Sequence, residues 1–454
     1  MRRRCYYFYD FGLSTNITTS RAYSNRMCTP IKLSCIRTFS FPEFLQAVAR
    51  SMAGDWKMDI LDFPFEILEI LLGFVAFGDY FQFVDFAEML VQDDGFPLLF
   101  HRFMMTRVGI SIVGWFWISG MEEHSYGMWR DLNVAKMLPR GLKSLHIDSA
   151  LRDEDGMAKL AAVLPECEKL THFTINGEHL SVVGCELLGA GLQNSQNITH
   201  LSLAGNGIRW CGVKAFFSRF FASYKGLSHL DLNGNSFGYL GIDALVNVGL
   251  GGCFQLTYLS LEANYLGRRG SHCLASSFCK LTRLETLNLS LNNMRSEGFL
   301  CIAPALCNLT RLKFLNLAHN KLSSDCVEIL VSTVFDRCVE LTHLSLEGNR
   351  IRSTAMLSLG LCIGKLKFLS CLKLSWCSLG NDDIKILFGG LEHCKLLSRL
   401  DLHGNYITAE GAIFIQDNIG SLKALSRLDL SSNDIVDGDQ IFFDIGGVEI
   451  ILGI

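Results

Sequence analysis

Proline is scarce in this chain, at seven residues in 454. No apolar run reaches the ~20 residues that a membrane-spanning helix needs. The best candidate, Val108 to Met121, is too short, so no membrane association is expected. Neither sign of charge is in excess: 41 Lys and Arg stand against 45 Asp and Glu, a net charge of −4. That balance argues against a nucleic-acid partner and against an acidic solvating tail. Chemical motifs are missing as well. There is no GxxxxGK[ST] phosphate loop, no GxSxG nucleophile elbow and no HExxH zinc helix. Paired carboxylates such as Asp382 and Asp383 sit at an expected helix start, where they favour the helix dipole. No enzyme and no cofactor is expected.

Cysteine is plentiful, at 17, but never spaced as CxxC, so zinc-ribbon arithmetic fails. Cys167, Cys253, Cys338 and Cys394 each stand three residues before one recurring position. In a stacked array the nearest two lie roughly 10 Å apart or more, beyond the ~7 Å reach of a disulfide. They read as reduced, small apolar fillers, as in a cytoplasmic or nuclear protein. The triplet Asn197-Ile198-Thr199 is then a chance match to a glycosylation site.

The decisive feature is self-similarity. The frame LxxLxL begins at Leu142, Leu170, Ile198, Leu227, Leu256, Leu284, Leu312, Leu341, Leu369, Leu397 and Leu425. The step between successive frames is nearly constant, and a fixed period of that size is the mark of a stacked repeat array. Counting the first Leu as position 0, an Asn stands at position 8 in eight units, from Asn206 and Asn235 to Asn405 and Asn433. Where the chain leaves a strand, its inward-turned N–H and C=O groups need partners, and a stacked row of Asn amides supplies them. Ala150 and Glu178 replace this Asn in the first two units, and Cys377 does so in the ninth.

The second half of each unit carries apolar residues at positions 15, 18 and 22, as in Phe299, Ile302 and Leu306. That spacing is a helix stripe, with Gly common at position 14 where the helix begins (Gly212, Gly241, Gly298). Helices are about 10 Å wide and parallel strands about 4.8 Å apart, so such units must stack into a curve with the strands inside.

Segments such as LTHLSLEGNRI (341–351) and LSRLDLHGNYI (397–407) resemble the ribonuclease-inhibitor-like class of leucine-rich repeats. The resemblance covers roughly residues 139–440. It implies a right-handed α/β solenoid, a horseshoe of about 11 repeats, with a helical N-terminal cap. Residues 58–90 resemble an F-box: Phe63, Pro64, Glu66, Ile67 and Leu68 match, then Leu71, Leu72 and Val75, then Asp79 and Tyr80. In that family the helix packs on the adaptor subunit of SCF-type ubiquitin ligases, which implies adaptor contacts for Pro64, Ile67, Leu68 and Leu71. Asp85 and Glu88 depart from the usual Cys-basic-Trp ending, and an amphipathic helix capping the first repeat is the other reading of this segment.

Residues 91–138 show no repeat and read as connector and cap, and 441–454 as a C-terminal cap or truncated repeat, with Ile451 and Ile454 opening a twelfth strand. Residues 1–57 read as a leader or disordered segment: eight Lys/Arg against three Asp/Glu precede residue 56, and a true start at Met58 is the alternative.

Strand residues alternate between faces, so positions 2, 4, 6 and 7 face the concave side. Tyr258, Phe314, His343, Trp376 and Arg399 are expected at the centre of a protein-binding face, with Glu262, Glu347, Lys373 and Asp401 around them. His172, His200 and His229 fall on neighbouring strands, but no Cys or carboxylate completes a metal set, and no metal is expected. The function expected is an intracellular protein-binding scaffold, as a substrate receptor of an SCF-type ubiquitin ligase. The alternatives are a Ran-type GTPase-activating protein, a family with similar repeats, and a ribonuclease-inhibitor-like inhibitor.

Overall fold

Each LxxLxL frame becomes one short strand, and each stripe at positions 15, 18 and 22 becomes a helix. The structure, a computed structural model, describes residues 115–119, 142–148, 154–177, 179–221, 226–351, 353–435 and 448–452. All of them lie in the unit Met104–Ile454. The strands are β1 (Trp115–Ser119), β2 (Ser144–Asp148), β3 (His172–Asn176), β4 (His200–Ser202), β5 (His229–Asp231), β6 (Tyr258–Ser260), β7 (Thr286–Asn288), β8 (Phe314–Asn316), β9 (His343–Ser345), β10 (Cys371–Lys373), β11 (Arg399–Asp401), β12 (Arg427–Asp429) and β13 (Glu449–Ile451). Between them run α1 (Glu154–Val163), α2 (Val182–Leu192), α3 (Arg209–Phe220), α4 (Gly238–Val248), α5 (Gly267–Phe278), α6 (Arg295–Leu306), α7 (Ser324–Thr333), α8 (Ser353–Ile363), α9 (Asn381–Leu391) and α10 (Ala409–Asn418). The strands form one open 13-stranded sheet in chain order, and every pairing is parallel. This is an α/β solenoid.

The frame residues and the helix stripes share one interior. Leu284, Leu287 and Leu289 are fully buried, as are Phe299, Ile302 and Leu306 of α6, and one continuous apolar cluster runs from Leu142 to Leu430. Under α3 the core is aromatic: Phe216 and Phe220 stack at 5.3 Å, with Phe217 edge-on to Phe216. Helices α8 and α9 approach so closely that a Cβ on Gly390 would collide with the Gly360 carbonyl oxygen. Only glycine permits that contact.

The Asn row satisfies the turns as the sequence led us to expect. Asn292 Nδ2 donates to the carbonyl of Leu261 at 2.8 Å, one repeat back, and to those of Leu289 and Ser290 in its own turn. Its Oδ1 accepts the N–H groups of Asn264 and Leu266. In the ninth unit Cys377 imitates this weakly, its thiol donating to Leu346 O at 3.3 Å. The four fillers Cys167, Cys253, Cys338 and Cys394 are buried, and burial raises their thiols to about 11 or 12. All described cysteines are free. Among the described residues no helix is long and apolar enough to cross a membrane.

The sheet extends past both expected ends of the array. The segment 91–138 does contain a repeat strand: β1 pairs with β2 in register, Trp115 opposite Ser144, one full period apart. The frame there is Val113, Phe116 and Ile118, a leucine-free version of LxxLxL followed by no Asn. At the other end the last strand does not open at Ile451. Glu449 pairs with Arg427 after a step well short of the period, so Ile450 and Leu452 turn to the core and Ile451 lies opposite Asp429.

Candidate partner-binding face

Exact repetition of the frame lines up equivalent residues across the strands. Position 2 gives one column: Ser144, His172, His200, His229, Tyr258, Thr286, Phe314, His343, Cys371, Arg399, Arg427 and Glu449. The helices pack on the opposite face of the sheet, because the frame residues between these positions are buried while the column is half-buried or exposed over most of its length. Cys371 is an exception. Alternation places it toward solvent, yet it is buried, a short side chain in register between His343 and Arg399.

The histidines form a column of rings. Ring centroids are 4.0 Å apart for His172 and His200, 5.2 Å for His200 and His229, and 3.8 Å for His229 and Tyr258, all stacked. Rings stacked face to face do not converge their nitrogens on a point, and no group of three His, Cys, Asp or Glu able to hold a metal occurs among the described residues. Burial lowers all three imidazoles, and each added ring's charge lowers the next: His229 comes down to about 4. His343 is also lowered, by burial first and then by the charges of Arg399 and Lys373.

A Thr at position 1 sets the ring orientation. Thr199 Oγ1 donates to the Thr171 carbonyl and meets His200 Nδ1 at 2.8 Å, so Nδ1 must be the donor to the hydroxyl and Nε2 the acceptor nitrogen. Thr342 and His343 repeat the arrangement at 2.9 Å. The hydroxyls themselves form a second ladder. Thr171, Thr199, Ser228, Thr257, Thr342, Ser370, Ser398 and Ser426 each donate to a carbonyl one repeat back. Where Glu285 and Lys313 interrupt them, an ion pair of 2.8 Å spans the gap. The signal, Thr or Ser directly after the first Leu, stands in the sequence, and the strand register turns it into a ladder.

The expected site residues fall into two groups. Tyr258 and Glu262 belong to the histidine end, where Glu262 accepts from Asn288 Nδ2 at 2.7 Å. Asp231 joins them: burial raises its carboxyl to about 6, against the pull of the Asn233 N–H. About five strand spacings away, ~24 Å, Lys373 and Asp401 stand directly opposite each other on β10 and β11, beside Arg399. Asp401 is raised, chiefly by burial. Phe314 and His343 lie between the groups, ring to ring at 5.8 Å, and Glu347 Oε1 meets His319 Nε2 at 3.2 Å. Trp376 follows the end of β10, with its ring edge-on to His403 at 5.1 Å. His403 stands at position 6, one of the positions expected on this face, whereas nothing in the sequence marks Gly404, on which that ring rests.

The profile of the family described as Leucine Rich repeat matches residues 280–303, which span β7, Asn292 and the start of α6. That segment covers most of one period of the array, and the other units repeat its frame. No curated protein matches the chain in sequence. Among solved structures, an internalin (inlF) from Listeria monocytogenes is similar at 16% identity and a TM-score of 0.44, over 77% of this chain and 92% of that one. A TLR13–ssRNA13 complex gives 21% and 0.43, over 71% of this chain and 41% of that one. A mouse RP105/MD-1 complex gives 16% and 0.37, over 68% and 63%. The F-box-like residues Pro64, Ile67, Leu68 and Leu71 lie outside the described residues.

Proposed function

We propose that this leucine-rich-repeat protein is a binding scaffold, not an enzyme, and that its partner is a protein lying along the open strand face. One observation carries this. The helices pack on one face of the sheet, while positions 2 and 7 of the other face leave His343, Trp376 and Arg399 exposed and Tyr258 and Phe314 half-buried. Aromatic and Arg side chains on a rigid support are typical interface anchors. Affinity purification with mass spectrometry tests it. Partners of the native chain should be lost from a Tyr258→Ala/Phe314→Ala/Trp376→Ala variant and kept by a helix-face variant, Glu328→Lys. Partners lost equally from both would sink the reading.

The finer reading is a ribonuclease-inhibitor-like array acting as the substrate receptor of an SCF-type ubiquitin ligase in the cytoplasm or nucleus. The near-constant unit with its helix supports the first part, and the Phe63-Pro64 and Glu66-Ile67-Leu68 matches support the second. The ligase adaptor should co-purify with the full chain and be absent after Pro64→Ala/Leu68→Ala. An adaptor that never co-purifies removes this assignment and leaves the scaffold reading intact.

A further inference from the structure

Trp376 is a side chain that the turn does not need. Its backbone is left-handed, φ 54°, a region that bulky residues avoid. Equivalent places hold Gly177, Gly205, Gly234, Gly348 and Gly404 with φ between 63° and 71°. Glycine adopts that conformation without steric penalty. Ala263, Leu291, His319 and Ser432 share the conformation, so the turn tolerates a side chain, and Trp376 is the largest of them. Burial does not compensate for the strain, since Trp376 remains 54% exposed. What sets Trp376 apart is the large apolar ring that it leaves exposed at this turn.

The ring is nonetheless held in place. It lies over Gly404, where a Cβ would come within 2.5 Å of Cδ2, and its neighbour His403 is fixed by a 2.7 Å bond between Nδ1 and Ser431 Oγ. Beside it in the chain, the Ser375 hydroxyl is buried without a hydrogen-bond partner. On the adjoining strands Lys373 and Arg399 are exposed, neither is in an ion pair among the described residues, and their charge reaches His343. Asp401 stands opposite Lys373 in the register without an ion pair to it, and its Oδ1 accepts the His403 N–H at 3.1 Å.

We propose that this corner receives a polypeptide segment carrying a carboxylate side chain next to a large apolar one. The carboxylate goes to Lys373 and to the guanidinium fork of Arg399, which suits two-point contact. The apolar side chain lies on Trp376, whose fixed ring loses little freedom on binding. The inference rests on the open-face reading above and adds the partner's chemistry and its place on that face.

The test selects a random dodecapeptide library on the immobilised full chain and titrates the enriched peptides by fluorescence anisotropy. Enriched peptides should carry Asp or Glu within two residues of Trp, Phe or Leu. Their affinity should fall about tenfold with Trp376→Gly and again with Lys373→Ala/Arg399→Ala. Trp376→Gly should keep the thermal midpoint, since the turn then holds the residue that other units use there. Selection on Lys373→Glu/Arg399→Glu should switch the enriched peptides to Lys and Arg. No enrichment, basic peptides on the native chain, or acidic peptides indifferent to these variants would overturn the proposal. If binding is lost instead with Tyr258→Ala, this inference fails while the open-face reading survives.

Discussion

Replacing Asn292 by Ala should cost about 4 kcal/mol, although it removes only a small polar side chain. Asn292 is fully buried. Truncation removes the acceptor of the Asn264 and Leu266 N–H groups, at 3.0 and 3.4 Å, and the donor to the Leu261 carbonyl at 2.8 Å. The Leu289 carbonyl keeps Asn320 Nδ2, and the Ser290 carbonyl keeps the Ala263 N–H, so neither is stranded. Three buried backbone groups at about 1–3 kcal/mol each set the range, and partial relaxation brings the sum to about 4. Cys377 shows what a thiol recovers at this position: one weak donation to Leu346 O, with the Ile351 N–H turning to the Cys377 carbonyl at 3.3 Å. Asn292→Cys should therefore lie between native and Ala, and Cys377→Asn should stabilise the chain by about 1 kcal/mol. Urea denaturation followed by far-UV circular dichroism gives the order, read at constant m. Hydrogen exchange at the Asn264 and Leu266 amides localises the loss to the interface between two units, where a repeat protein should feel it. An Asn292→Ala chain within about 0.5 kcal/mol of native, or a destabilised Cys377→Asn chain, would refute the bookkeeping.

Two adjacent glycines on α9 should respond oppositely to the same change. Gly389→Ala meets nothing within 4 Å and should stabilise by up to about 1 kcal/mol through helix propensity, whereas Gly390→Ala drives a methyl into the Gly360 carbonyl and should cost about 3 kcal/mol. Thermal melts of the two variants decide it, and equal shifts would contradict the close helix approach. For pH, the folded carboxyl of Asp231 stands at about 6, above its ordinary 3.8, so the native state binds the extra proton and stability falls as pH rises from about 4 to 6. Asp231→Asn should therefore be more stable than native at pH 7–8 and no different below pH 4, as measured by urea midpoints across pH. His229 works with the opposite slope: held near 4 when folded and 6.5 when unfolded, it removes stability as pH falls from about 6.5 to 4, and His229→Gln should flatten the native curve in that window.

The expected binding residues were legible as columns because one translation, repeated, carries position 2 of one unit onto position 2 of the next. Their grouping was not. Phe314 and His343 meet as neighbours in the register, but Tyr258 and Arg399 are separated by the strands between them. The first strand is not legible in the sequence, because Val113, Phe116 and Ile118 replace the three leucines and no Asn follows. The last was misplaced because the connection from Arg427 to Glu449 is shorter than the common step, and a fixed period cannot anticipate a shortened one. Cys371 was expected on the open face by alternation alone, which takes no account of the longer side chains on either side of it.

By itself the sequence determined the period, the buried frame, the Asn row and the face on which each residue of the eleven LxxLxL strands lies. All of these follow from local alternation and from contacts between residues one repeat apart. Tertiary structure alone decided the face-to-face orientation of the imidazole rings, the raised carboxyl of Asp231 and the posture of Trp376 over Gly404. Each depends on what the neighbouring unit presents at a given place, and on how much water it leaves there, which the pattern within one unit does not contain.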